Sequence, residues 1–337
     1  MSNSAPNLVC IYPSRSCLKH AVERAQYKGK PFTLELALGE AQLAYRVFDL
    51  SVLEFYRNDP RYRYYCDDIA GSISVQDRMR DSDKIYLRSF GFAYNTKHHR
   101  AVAVYLRDLS RFRPRHQQMW HSKQLRGQWK LHPDYYRSTI MGHWPTGISI
   151  FEATLGEMKC VNDMCELIGR PALFRDDFRD GRRPNGFGFL IRPTLKEFND
   201  FIQLLDKMLS DNINAKFFMG DLKPQYEQPR SDGKVEVHQK GTIQLLEEWI
   251  SLNFRPLDAS PIEAMIRTLR RVRGMRSKPA HGISEDRFDQ KYLVEQRDVM
   301  IAVCEAVQTL RLMFASHPKA RNYSVPRTLT EMEIWME

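Results

Sequence analysis

The sequence predicts an α+β chain, with a mixed α/β-strand region in its N-terminal half and an all-helical region after it. Three observations carry this. Lys84–Tyr94 and Arg100–Leu106 are β-rich and flank the turn-compatible run Asn95-Thr96-Lys97-His98-His99, the pattern of a hairpin. From Pro193 onward, capped amphipathic segments follow one another. The composition, 42% hydrophobic and 27% charged over 337 residues, is that of a globular chain long enough for two domains, and excludes a fibrous or disordered one.

Taken in order, Phe32-Thr33-Leu34-Glu35-Leu36-Ala37-Leu38 alternates with period two and predicts a half-buried strand. Residues 58–83 are polar and rich in Arg, Asp and Tyr, and give no assignment. From 149 to 168, Ile150, Leu155, Met158, Val161, Met164, Cys165 and Ile168 share one helical face, and Gly169 and Pro171 end it. Residues 175–185 read as loop and 186–191 as a short strand. Thr194 and Glu197 have capping-box spacing ahead of Phe198, Phe201, Ile202, Leu205, Met208 and Leu209. Residues 231–241 read as an exposed connector, and a second helix is expected over 242–254 on Ile243, Leu246, Trp249 and Ile250. The third helix opens with Ser260 as N-cap, Pro261 at the first helical position and Glu263 to complete the box. Pro279 closes it. A fourth, long helix spans about 287–315. The expected domains are 1–190 (α+β), 191–320 (a helical bundle) and 321–337 (a tail).

The six cysteines, Cys10, Cys17, Cys66, Cys160, Cys165 and Cys304, are dispersed and form no C-x-x-C pair, so free thiols and no structural metal are expected. The opening residues lack the order of an export signal, and no apolar run is long enough for a bilayer span, which predicts a cytoplasmic protein without a membrane partner. No G-x-S-x-G motif appears. Gly181 and Gly186 have P-loop spacing, but Phe187 follows where that motif needs lysine, so no cofactor is expected. The net charge of +10 favours a polyanionic partner.

That charge is clustered. Arg267, Arg270, Arg271, Arg273, Arg276 and Lys278 fall on the third helix and its exit with no acid between them, and their spacing leaves the apolar stripe of Ile266, Leu269, Val272 and Met275 intact. The guanidinium groups therefore occupy the solvent side, where they suit phosphates. Arg276 is followed five residues later by His281. Spacing alone selects nothing, because seven of the ten histidines have an arginine five or six residues upstream. Context selects His281: a capped basic helix before it, a proline break, and a long helix after it. A histidine titrates near neutral pH and moves protons, while an arginine stays charged and grips two phosphate oxygens.

Arg276-Ser-Lys-Pro-Ala-His281, at the exit of a basic helix in a C-terminal bundle, resembles the motif of the HEPN superfamily, and its Lys-Pro-Ala-His wording resembles HEPN domains of prokaryotic defence and toxin systems. The resemblance covers 193–320. It implies a homodimer with one Arg–His pair from each protomer in a shared cleft, metal-independent endoribonuclease activity, and a 2′,3′-cyclic phosphate product. It assigns Arg276 and His281 as catalytic, with Ser277, Lys278 and Arg273 positioning the substrate. Ser277 stands where the family commonly has Asn, Asp or His. Glu285 and Asp286, a short way beyond His281, are expected to cap the fourth helix, the alternative being that they orient His281. The alternative is a non-catalytic HEPN module for dimerisation or RNA binding in a larger defence complex, with a partner protein or a phage-derived trigger.

A second basic region spans 111–137 and mixes cations with aromatics. Arg113, Arg115, Lys123, Arg126, Trp129 and Lys130 are its candidate RNA contacts, cations for phosphates and rings for stacking. The competing expectation is that Trp120, Trp129 and Tyr135 belong to a core.

Overall fold

The computed structural model describes residues 12–76, 79–179, 181–229, 231, 234–277 and 285–336. Contacts divide the chain into two units, Met1–His143 and Trp144–Glu337.

The first unit begins with α1 (Arg15–Ala21) and α2 (Pro31–Ala37). The strand expected over 32–38 is therefore a helix. Pro31 sits in its first turn, where its fixed φ is favourable. The Gln117 side-chain oxygen accepts the amides of Phe32 and Thr33, at 3.2 and 3.3 Å, capping that turn from a distant segment. Only Phe32 of this helix is buried, so the short alternation carries no buried face. β1 (Tyr45–Phe48), α3 (Glu54–Arg57), β2 (Tyr62–Cys66), β3 (Ala70–Val75), β4 (Leu87–Tyr94) and β5 (Arg100–Tyr105) follow. The sheet is antiparallel in the order β1-β5-β4-β3-β2. β4 and β5 form the hairpin read from the sequence, with Gly91 opposite Ala103 and Tyr94 opposite Arg100. The unassigned stretch 58–83 contains two strands of this sheet.

α4 (Leu106–Leu109), α5 (Pro114–Ser122), β6 (Lys130–Leu131) and α6 (Pro133–Thr139) complete the unit, and β6 pairs with β4. α5 inserts Trp120 and His116 into the core. The Trp120 indole donates to the Tyr56 hydroxyl at 2.9 Å, and that hydroxyl lies 2.8 Å from His116 Nδ1. A buried polar chain of this kind is tolerated because its members meet one another.

The second unit opens with β7 (Gly147–Ser149) and α7 (Ile150–Leu167). A full capping box starts α7: Ser149 accepts from the Glu152 amide, and Glu152 accepts from the Ser149 amide. α8 (Leu195–Leu209) starts at Thr194, whose side chain accepts from the Glu197 amide. β8 (Gln225–Pro229) and β9 (Val235–Gln239) form an antiparallel hairpin, almost wholly exposed, where a connector was expected over 231–241. α9 (Thr242–Asn253), α10 (Ser260–Ser277) and α11 (Lys291–Ala315) match the remaining expected helices. At the start of α10 the side-chain acceptor is Asp258, which takes both the Ser260 amide (2.9 Å) and its hydroxyl (2.8 Å). Residues 186–191 form no strand. They are tied to α11 by Gln296, which accepts from the Leu190 amide at 3.0 Å and donates to the Gly188 carbonyl at 2.9 Å.

The chain therefore divides at 143/144 and not at 190, because α7 belongs with the helices. It packs along α11, and Glu157 of α7 forms a buried ion pair with Arg311 of α11. The segment 321–337 is more than a tail. After α12 (Arg327–Thr330), β10 (Glu333–Trp335) pairs in parallel with β7, and the Tyr323 hydroxyl donates to Asp163 at 2.8 Å. The chain is thus a sheet-containing N-terminal region followed by a helical C-terminal one. Among the described residues no helix is long and apolar enough to cross a membrane.

Candidate functional site

α10 packs against α8, α9 and α11. Met265, Ile266, Leu269 and Val272 are buried, and Arg267, Arg270 and Arg271 are exposed, as the spacing predicts. Arg270 pairs with Glu247 of α9. Arg273 and Arg276, one turn apart on the last part of the helix, face the C-terminal end of α8. Arg276 Nη1 lies 2.8 Å from Asp206 Oδ2 and 2.7 Å from Asp211 Oδ2. Arg273 pairs with Asp211 Oδ1 through Nη2, and its Nε is 3.5 Å from Asp206 Oδ1. Four side chains thus form a quartet of two cations and two anions. The carboxylates of Asp206, then Asp211, raise the Arg276 guanidinium further above its ordinary range, so it is charged at every relevant pH.

The two acids are not equivalent. The Asp206 side chain has no exposed surface, whereas that of Asp211 is 42% exposed. Asp206 sits on the apolar face of α8, four residues after Ile202 and next to Leu205. Sequence reasoning missed both acids. The signal for Asp206 was present: an acid on an apolar stripe needs a cation. Asp211 follows the helix in an ordinary-looking polar run, and only its contacts distinguish it.

His281 and Lys278 lie outside the described residues, and so does the Ser277 side chain. Asp286 accepts from the Lys196 amide at 2.9 Å and so caps α8, not the fourth helix. Asp289 does that work at the Lys291 amide, also at 2.9 Å.

The second basic region separates into parts. Arg113 pairs with Asp81 (2.7 Å) and Arg115 with Asp83, while Lys123, Arg126 and Lys130 are exposed. Trp120 and Tyr135 are fully buried core residues. Trp129 is half-buried and packs against Val47, Ala93, Ala101 and Ala103.

Nucleophilic thiols find no support at Cys66, Cys165 or Cys304, the first and last half-buried and Cys165 fully buried. Burial pushes Cys66 and Cys304 up to about 11 and Cys165 up to about 12, which keeps them protonated at neutral pH. Among the described residues no group of three or more His, Cys, Asp or Glu is arranged to hold a metal. No family model, curated protein or solved structure matches the chain.

Proposed function

We propose that the chain is a metal-independent endoribonuclease of HEPN type, acting in prokaryotic anti-phage defence or as a toxin. Arg276 holds the scissile phosphate and stabilises the charge that builds on it. His281 serves as general acid or base. A base takes the 2′-OH proton, the freed oxygen attacks phosphorus, and the 5′-oxygen leaves with a proton. The products are a 2′,3′-cyclic phosphate and a 5′-hydroxyl.

The observation that supports this reading is the way Arg276 is held. A lone arginine at a helix end samples many rotamers, and holding it in one orientation before substrate arrives removes that entropic cost from the reaction. Asp206, itself buried, provides that hold on an arginine side chain that remains 37% exposed. The exposed cations Arg267 and Arg271 precede it on the same helix and suit a flanking RNA backbone. Homodimerisation is part of the proposal, since one Arg–His pair per protomer needs a second.

The test is cleavage of total RNA by the purified full chain in EDTA, wild type against His281→Ala. Cleavage by wild type alone, leaving 2′,3′-cyclic phosphate ends, is the expected result. Equal cleavage by both proteins sinks the assignment of His281. A second reading, a non-catalytic module for RNA binding or dimerisation, draws on the same quartet: two carboxylates already neutralise Arg273 and Arg276. It predicts that Arg276→Ala keeps biological activity while disruption of the dimer abolishes it.

A further inference from the structure

We propose that Arg273 and Arg276 form a seat for the two non-bridging oxygens of a nucleic-acid phosphodiester, and that Asp211 is a built-in occupant which the strand displaces. The proposal rests on the reading above only in taking RNA as the natural strand.

The geometry is that of a bridge. Asp211 presents one oxygen to each arginine, Oδ1 to Arg273 Nη2 and Oδ2 to Arg276 Nη1. A phosphodiester presents the same pair of anionic oxygens with the same single charge, and guanidinium groups bind either by charge-assisted hydrogen bonds. The charges agree. Two arginines against Asp206 and Asp211 are neutral, and with Asp211 withdrawn the remaining three groups carry a single positive charge, the complement of one phosphodiester.

The two acids divide the work. Asp206 is sealed behind the guanidinium groups and cannot leave without opening the bundle, whereas Asp211 stands on the solvent side. Asp211 also sits where a helix favours cations. It follows Ser210, the C-cap of α8, and its amide donates to the Asp206 carbonyl at 3.2 Å. The negative end of the helix dipole opposes a carboxylate there. The arginines are therefore the main attraction holding Asp211, and a competing anion removes that attraction. Arg270, one turn before Arg273, extends the same track and is likewise masked by a partly exposed acid, Glu247.

The test uses the full chain and a fluorescent single-stranded 2′-deoxy oligonucleotide, which has the phosphodiesters but cannot form a 2′,3′-cyclic phosphate. Its binding is therefore independent of the nuclease reading, whose own test is RNA cleavage with His281→Ala. Asp211→Ala is expected to bind the strand about tenfold more tightly than wild type, the scale of one charge-assisted contact. Its salt dependence should steepen by about 0.7 in log–log slope, as one more phosphate is engaged. Asp211→Glu should restore wild-type affinity. Asp200→Asn removes the same unit of charge from an exposed Lys196 pair on α8 and should change affinity by less than about twofold. The gain from Asp211→Ala should vanish when Arg273 and Arg276 are both alanine. Unchanged affinity in Asp211→Ala overturns the proposal, as does a gain that persists without the two arginines or one that Asp200→Asn reproduces. If Asp211→Ala does not fold, Asp211→Asn is read by the same criteria.

Discussion

Arg276 and Asp206 form a pair in which only one member meets water: their closest atoms are 2.8 Å apart, the Arg276 side chain is 37% exposed and the Asp206 side chain fully covered. This asymmetry separates stability from function. Removing Asp206 leaves no stranded buried charge, because Arg273 and Arg276 are partly exposed and keep Asp211 as a partner. Asp206→Leu also extends the apolar stripe of α8. The expected outcome is a folded protein with a midpoint of thermal unfolding within a few degrees of wild type. On the proposed nuclease function, RNA cleavage should fall about tenfold or more, since the arginine proposed to bind phosphate loses its buried anchor. Calorimetry and the cleavage assay together check this. A large stability loss with activity per folded molecule intact would show that Asp206 is a structural acid only.

How far the sequence revealed these features depends on the range of each signal. The α10 face was legible because burial of Met265, Ile266, Leu269 and Val272 follows from helical spacing alone. α2 was misread because a seven-residue alternation is too short to separate periods, and the cap from Gln117 lies far along the chain. The division at 143/144 was illegible for the same reason: nothing local in α7 indicates that Glu157 will meet Arg311. Of the two acids that hold Arg276, Asp206 carried a signal in its place on an apolar stripe, whereas Asp211 looks like any exposed acid.

The Glu157–Arg311 pair predicts the opposite of Asp206. Here the side chains are 4% and 11% exposed, so neither partner can turn to water. Glu157→Ala strands a buried guanidinium and should cost about 3–5 kcal/mol of unfolding free energy. Replacing both, as Glu157→Leu with Arg311→Met, should recover most of that loss, because well-packed apolar residues replace buried pairs at little net cost. Urea unfolding of the two variants decides this. A double variant no more stable than the single one would mean that the pair contributes more than mutual neutralisation.

His132 sets an acid limit on the first unit. Its Nδ1 accepts the Asp134 amide at 3.3 Å, capping α6, and so carries no proton. Burial, reinforced by the positive charge of Arg100, pushes its pKa down to about 4 from the usual 6.5. The folded state therefore favours the neutral ring. Its contribution is full above pH 6.5, where both states are neutral. It is lost as pH falls from 6.5 to 4, where the unfolded chain binds the proton first, for a total of about 3 kcal/mol. His132→Asn keeps a cap acceptor and removes the titration. Hydrogen exchange of β4 amides at pH 7 and pH 5 should show a smaller loss of protection in this variant than in wild type. Equal losses would assign the acid sensitivity to other groups.

Gly91 is required by the sheet's contact with α6. It pairs with Ala103 across β4 and β5, and a Cβ placed there would lie 2.3 Å from the Tyr135 ring. That ring cannot retreat easily, because it is fully buried and stacked on Tyr105 with centroids 5.7 Å apart. Gly91→Ala should therefore destabilise the chain by about 1–3 kcal/mol through overpacking, although alanine suits a strand better than glycine. The cause can be isolated by a second change. Tyr135→Leu alone leaves a cavity and should also destabilise, but with the smaller side chain in place the added methyl has room. The double variant should then be more stable than the sum of the two single effects predicts, by about 1 kcal/mol or more. Strict additivity would mean that Gly91 is needed for its backbone and not for the space above it.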